Sequence, residues 1–198
     1  MTAIGKAKVV ILATHGFEQS ELMVPLQKLR EAGAQVVVVS PERGEIRGWN
    51  HKDWGESVAV DKSLDEVSAA EYDAIVLPGG QINPDLLRIN AKALQFIGAF
   101  LDAGKVVAAV CHAPWLLIEL DAVRDRQVTS YKSIKTDVIN AGGKWVDRAV
   151  VTDRGIITSR NPGDLDAFCA KIVEEIEEGS HSRRRGERAK GAPRPTAH

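Results

Sequence analysis

Cys111 and His112 stand side by side in "KVVAAVCHAPWLLIEL", where a short apolar run gives way to a helical pattern. Cysteine is the most nucleophilic side chain near neutral pH, and histidine is the one whose ordinary pKa lies there. A chain that turns sharply from strand into helix exposes one side chain at the corner, as in a nucleophile elbow. The unpaired N–H groups of the helix's first turn favour an anion at that corner. The pattern therefore predicts a thiol of lowered pKa and a sulfur able to attack carbonyl carbon.

His112 is the candidate base, provided the elbow turns both side chains into one cleft, since consecutive residues on a regular helix diverge. In that role the imidazole needs a carboxylate on its second nitrogen to set its tautomer. Three carboxylates are candidates. Glu18 and Glu21 lie three residues apart, on one face of a helix's opening turn, and Asp85 follows the Gly79–Gly80 turn. Each also suits a purely structural place, because acidic groups at a helix start favour the dipole. The glycine pair lets backbone N–H groups approach a ligand, and with the amide of His112 it could form an oxyanion hole. Cys169, in "DAFCAKIV", falls mid-helix and reads as core. Five histidines (His15, His51, His112, His181 and His198) lack ligand spacing, so no metal is expected. No phosphate loop or dinucleotide fingerprint occurs, and no cofactor is expected.

The elements that must position these residues follow from the hydrophobic pattern. "KVVILAT", "AQVVVVS", "YDAIVLPGG" and "VVAAV" are short runs, apolar almost throughout, as in strands buried on both faces. "SELMVPLQKLREAG" carries Leu22, Leu26 and Leu29 at helical spacing and stops at Gly33. "NPDLLRINAKALQFIGAFLDAGK" reads as one long helix, capped by Asn83, with Pro84 in its first position and Gly104 at its end. "APWLLIELDAV", "YKSIKTDVINAGGKWVD" and "NPGDLDAFCAKIVEEIEEG" are further helices, with Pro162 just inside the start of the last. Residues 41–55 form a polar excursion ending in a short hairpin through "SVAVDKSL". "AVVTDRGIITSR" is a hairpin turning at Asp153–Gly155. Such alternation predicts an α/β fold, a mostly parallel sheet covered on both faces by helices. Sites in such sheets lie beyond the carboxyl ends of the strands. His15–Gly16, Gly79–Gly80 and Cys111–His112 each follow a strand and should converge on one edge.

With 198 residues the chain suits one domain. A net charge of -1 gives no sign of a nucleic-acid partner. No apolar run is long enough to span a membrane, and the N-terminal run is too short for a signal peptide, so a cytoplasmic protein is expected. Two cysteines are too few for a disulfide framework. The domain is expected over residues 1–178. Residues 179–198, "GSHSRRRGERAKGAPRPTAH", are basic and almost without apolar content, which predicts a disordered, solvated tail. That tail is the one segment suited to nucleic acid, anionic lipid or an acidic partner.

Taken together, "GFEQSELMVPLQKLREAG", "IVLPGG", "NPDLLR", "GKVVAAVCHAPWLLIE", "TSYKSIKTDVINAGGKWVD" and "VVTDRGIITSRNPGDL" resemble the PfpI family. This family belongs to the ThiJ/PfpI superfamily, relatives of class I glutamine amidotransferases, and the resemblance runs over about residues 7–178. It implies a flavodoxin-like three-layer sandwich with Cys111 at the elbow and His112 as its paired histidine. It implies that Glu21 leans on the thiol, that Glu18 is a second acidic group lining the pocket, and that Tyr131 lies near it. The amides of Gly80 and His112 would form the oxyanion hole. Asp85 falls where the family's archaeal protease has a glutamate that reaches the histidine of a neighbouring subunit. The resemblance thus implies a homodimer or homohexamer, with aspartate one methylene shorter than the family's residue.

Activities assigned in the family are deglycase or glyoxalase action on methylglyoxal and its adducts, and intracellular cysteine peptidase or amidase action. A third group comprises redox-sensing stress proteins and chaperones. A shallow pocket, a nucleophile and a proton shuttle suffice for small carbonyl compounds and glycated adducts. Peptides need an extended cleft as well, which nothing in the sequence announces, so the carbonyl-stress hydrolase ranks first. A glutamine amidotransferase would take its histidine from a later loop, usually as His-x-Glu. Here the later histidines are His181 and His198, both in the tail.

Overall fold

A computed structural model describes residues 2–179. In chain order its elements begin with β1 (Lys8–Leu12), β2 (Phe17–Glu18), α1 (Gln19–Glu31) and β3 (Gln35–Ser40). They continue with β4 (Glu45–Asn50), β5 (Asp53–Ala59), β6 (Lys62–Ser63), β7 (Ala74–Leu77), α2 (Ile82–Arg88) and α3 (Ala91–Ala103). Then follow β8 (Val106–Val110), α4 (Pro114–Glu119), β9 (Gln127–Val128), α5 (Lys135–Asn140) and β10 (Lys144–Trp145). The hairpin β11 (Val150–Asp153) and β12 (Ile156–Ser159) and the helix α6 (Leu165–Glu178) complete the order.

The main sheet has seven strands in the order β11-β12-β8-β7-β1-β3-β6. All its neighbours pair in parallel except β11, which is antiparallel to β12. The runs without polar alternation are explained by two covered faces. Val9 and Ile11 pack with Val36, Val76 and Val110 against Leu22 and Leu29 of α1 and Phe168 and Ile172 of α6. Val10 and Leu12 turn to the other face, with Ile75, Leu77 and Val107, under Ile97 and Phe100 of α3 and Leu116 and Leu117 of α4. A one-residue slip would turn these side chains to the wrong layer, and each fully buried one contributes about 1.5–3 kcal/mol. Register is therefore fixed. Ile11 stands opposite Val76, and Val76 opposite Ala108, so β1, β7 and β8 end within one residue of each other. The chemistry-bearing residues that follow these ends share one edge.

The α/β sandwich is as the sequence predicts, and four elements differ in detail. The segment expected as one long helix is two, α2 and α3, because Asn90 breaks it and caps α3 through its own side chain, which accepts from the Ala93 N–H at 3.0 Å. Asn83 is no cap. It is buried inside α2, where it accepts from the Thr14 N–H at 2.8 Å and donates to the Pro78 carbonyl at 2.8 Å. The expected hairpin through "SVAVDKSL" lies earlier. The polar excursion itself is the hairpin β4–β5, which joins β2 in a second, three-stranded sheet, while β6 pairs with β3. Ile46 is fully buried while most of β5 is exposed, and a strand with one wet face reads as polar. The helix expected from Tyr131 onward is a 3-10 turn, Lys132–Ile134, leading into the short α5, and its last residues form β10. Pro162 likewise sits in a 3-10 turn before α6. Among the described residues no helix is long and apolar enough to cross a membrane. Of the tail expected over 179–198, all but Gly179 lies outside the described residues.

Candidate active site

Cys111 leaves β8 with a φ of +64°, the left-handed region that side chains other than glycine rarely adopt. Holding it there costs about 1–3 kcal/mol, which the surrounding bonds must offset. The Cys111 N–H donates to the Ser159 carbonyl at 3.0 Å, and its carbonyl accepts from the Tyr131 N–H at 2.8 Å. The elbow is thereby tied to β12 on one side and to the "TSYKSIK" segment on the other. The left-handed corner does what a helix could not, bringing adjacent side chains together. Sγ of Cys111 lies 3.1 Å from Nδ1 of His112.

Glu21, on the opening turn of α1, comes to the same sulfur from across the sheet edge. It is fully buried, and its Oε2 accepts from the Gly79 N–H at 2.8 Å. Its Oε1 has no well-formed hydrogen bond among the described residues; the Cys111 thiol and the N–H groups of Gly79 and Gly80 are the neighbours that favour its charged form. Burial, reinforced by the charge of Glu18, pushes the Glu21 carboxyl up to about 8. Glu21 is thus an acid at neutral pH. Glu18 is half-buried and caps α1, accepting from the Glu21 N–H at 2.9 Å.

The expected lowering of the Cys111 pKa is overturned. Cys111 is only 5% exposed, and burial followed by the Glu21 charge raises the thiol, while the N–H groups of Gly80 and His112 pull it down. The helix beyond the elbow has six residues, too little dipole to reverse this. A proton on Glu21 removes the second of the raising causes. What remains against the thiolate is burial, and what favours it is the pair of amides of Gly80 and His112.

The glycine turn is built into this geometry. Gly80 has a φ of +82°, and a Cβ there would stand 2.6 Å from the Gly16 carbonyl oxygen. A Cβ on Gly79 would stand 2.6 Å from Glu21 Oε2 and 2.7 Å from Cys111 Cβ. His15–Gly16, Gly79–Gly80 and Cys111–His112 therefore meet as their positions after strands predict.

His112 is 4% exposed, and burial holds its pKa below the ordinary value, so the ring is neutral at pH 7. It is stacked on Tyr131, with centroids 4.8 Å apart and planes 26° apart, and meets Trp115 edge-on at 5.2 Å. Its Nε2 lies 3.0 Å from Ser133 Oγ. Within the chain a hydroxyl, not a carboxylate, therefore stands on the second nitrogen. Asp85 is exposed on α2. Sequence reading passed over Ser133, whose only signal is a small polar residue two positions after Tyr131 in a segment read as helix. Cys169 is core, 3% exposed in α6, with burial pushing its thiol up to about 12.

The chain that carries this site is similar to proteins already known. The sequence profile described as "DJ-1/PfpI family" matches residues 7–175. The chain is similar to a deglycase of Thermococcus kodakarensis, 42% identical over 167 residues, or 84% of this chain and 98% of that one. It is similar to protein/nucleic acid deglycase 2 of Escherichia coli, 43% identical over 163 residues, or 81% of this chain and 92% of that one. Among solved structures it is similar to a two-domain protein of Anabaena variabilis containing DJ-1/ThiJ/PfpI-like and ferritin-like domains. There the TM-score is 0.82 at 39% identity, over 87% of this chain and 48% of that one, so this chain spans about half its length.

Proposed function

The chain belongs to the DJ-1/PfpI family, and from that premise we propose that it is a cysteine-nucleophile hydrolase of reactive-carbonyl adducts, a deglycase or glyoxalase. The observation that carries this is Sγ of Cys111 held 3.1 Å from a neutral imidazole and beside a carboxyl that keeps its proton to about pH 8. A base and an acid on one sulfur are what addition to a carbonyl requires. His112 takes the thiol proton as sulfur adds to the carbonyl carbon. The developing oxyanion meets the amides of Gly80 and His112 and the proton of Glu21. On methylglyoxal, or on the aldehyde that its adduct frees as the amine or thiol leaves with a proton, the product is a hemithioacetal; a proton moved through an enediol from that carbon to the neighbouring one turns it into a thioester, which water cleaves.

The low exposure of Cys111 and His112 favours this over general peptidase action. An aldehyde or a terminal adduct can approach a nearly closed sulfur, whereas an extended peptide needs a groove along it. Tyr131, 41% exposed and stacked on His112, is the aromatic face such a substrate meets first. The reading includes a homodimer or homohexamer acting in the cytoplasm, with Asp85 offered to a neighbouring copy. The names of the Thermococcus and Escherichia relatives support the substrate class.

The test is an activity panel of methylglyoxal, a glycated amine, a glycated thiol and a peptide amide, on the full chain and on Cys111→Ala. Turnover of the first three that is lost in the variant is expected. Equal turnover by both proteins removes the reading, and turnover of the peptide amide alone replaces it with a peptidase.

A further inference from the structure

We propose that Ser133 is the positioning residue of His112 and the outlet through which the Cys111 proton reaches water. The catalytic consequence rests on the hydrolase reading above, while the effect on the imidazole ring does not.

The reacting groups are shut in. Cys111 is 5% exposed, His112 4% and Glu21 0%. A proton released by the thiol has Glu21 on one side, itself buried, and His112 on the other. His112 bridges the gap, with Nδ1 at 3.1 Å from the sulfur and Nε2 at 3.0 Å from Ser133 Oγ. Ser133 is exposed within the single chain, so it is the point where this path leaves the chain.

The surroundings place that hydroxyl and leave it to the ring. The segment carrying Ser133 is tied to the elbow itself, since the Tyr131 N–H donates to the Cys111 carbonyl at 2.8 Å and the Ile134 N–H to the Tyr131 carbonyl at 3.2 Å. Tyr131 and Trp115 hold the ring plane, but neither sets its tautomer. Trp115 has its Nε1–H committed to Asp137 at 2.8 Å, and its ring lies under the Arg88 guanidinium. Glu21 lies beyond the sulfur, and exposed Lys132 adjoins Ser133.

Within the chain a hydroxyl can serve this ring without a carboxylate, for a chemical reason. Burial disfavours an imidazolium. A serine hydroxyl both donates and accepts, so the ring can pass a proton while staying neutral. The S–H bond breaks as Nδ1–H forms, Nε2–H breaks as a bond to Ser133 Oγ forms, and the Ser133 hydroxyl proton leaves to water. The products are the thiolate, the other neutral tautomer of His112, an unchanged serine and one proton in solvent.

Ser133→Ala and Ser133→Thr in the full chain test this through two readouts. The first is the pair of ring 15N shifts of His112, which report the tautomer without any substrate. The second is kcat and KM on methylglyoxal, with and without added imidazole buffer as an external proton acceptor. Alanine is expected to move the Nε2 shift and lower kcat roughly tenfold with little change in KM. Threonine restores both, and imidazole restores part of the alanine variant's kcat. Ring shifts unchanged in Ser133→Ala overturn the positioning role, and an unchanged kcat overturns the outlet. A wild type that turns over nothing removes the hydrolase reading instead, and the ring spectra still decide Ser133's hold on His112.

Discussion

Glu21 shows how far burial alone can change a side chain's chemistry. Its carboxyl moves from an ordinary 4.5 to about 8, chiefly because the charged form has lost water. The sign of the linkage follows. The folded chain holds a proton that the unfolded chain releases, so this group's contribution to stability is complete below about pH 4.5. It shrinks as pH rises and is gone above about pH 8. Glu21→Gln cannot titrate, so the variant should gain on the wild type across that window, by on the order of 4 kcal/mol. Denaturant unfolding of both proteins from pH 5 to pH 9 checks this, and parallel curves would contradict it. That Cys111, His112, Glu18 and Glu21 lie together was legible in the sequence, the acidic pair through the family resemblance and its three-residue spacing. Their protonation was not, because it depends on how completely α1 and β8 close over them. Ser133 was hidden for a related reason: a hydroxyl has no chemical signature until a ring nitrogen is placed 3.0 Å away.

The elbow is the element on which the site turns, and its strain can be measured. Cys111 holds a φ of +64°, which alanine tolerates no better than cysteine and glycine tolerates freely. Cys111→Gly should therefore be more stable than Cys111→Ala by about 1 kcal/mol, although both lack the sulfur. Equal or reversed stabilities in denaturant unfolding would mean that the corner is unstrained. The elements that position the site were mostly legible, since fully apolar strands and Leu22–Leu26–Leu29 spacing report two-sided burial and an amphipathic helix directly. The misread ones have two causes. Asn83 and Asn90 both look like caps, and only tertiary contacts decide that Asn83 serves Thr14 and Pro78 while Asn90 breaks the helix. The hairpin β4–β5 was placed too late in the sequence because one of its faces is wet and its alternation is weak.

Across the whole molecule, one sheet with both faces covered lines up the ends of β1, β7 and β8 and gathers Glu21, Gly80 and Cys111 from distant parts of the sequence. The exterior next to this edge carries a feature the fold does not use: Ile82 and Leu86 of α2 and Ile89, the residue after it, are 36%, 45% and 83% exposed. In the proposed homo-oligomer this apolar strip, beside Asp85, is covered by a second copy. Light scattering should then give a multiple of the 21.5 kDa chain, and Leu86→Arg with Ile89→Arg should return it to a single chain. A wild-type mass of one chain would contradict this. The central claim, that Cys111 sulfur bonds to the carbonyl carbon of its substrate, is tested most directly by rapid-quench mass spectrometry with peptide mapping after mixing with methylglyoxal. A transient mass increase confined to the peptide carrying Cys111, and absent from Cys111→Ala, is the expected result. Turnover that proceeds with that peptide unmodified at every quench time would contradict it.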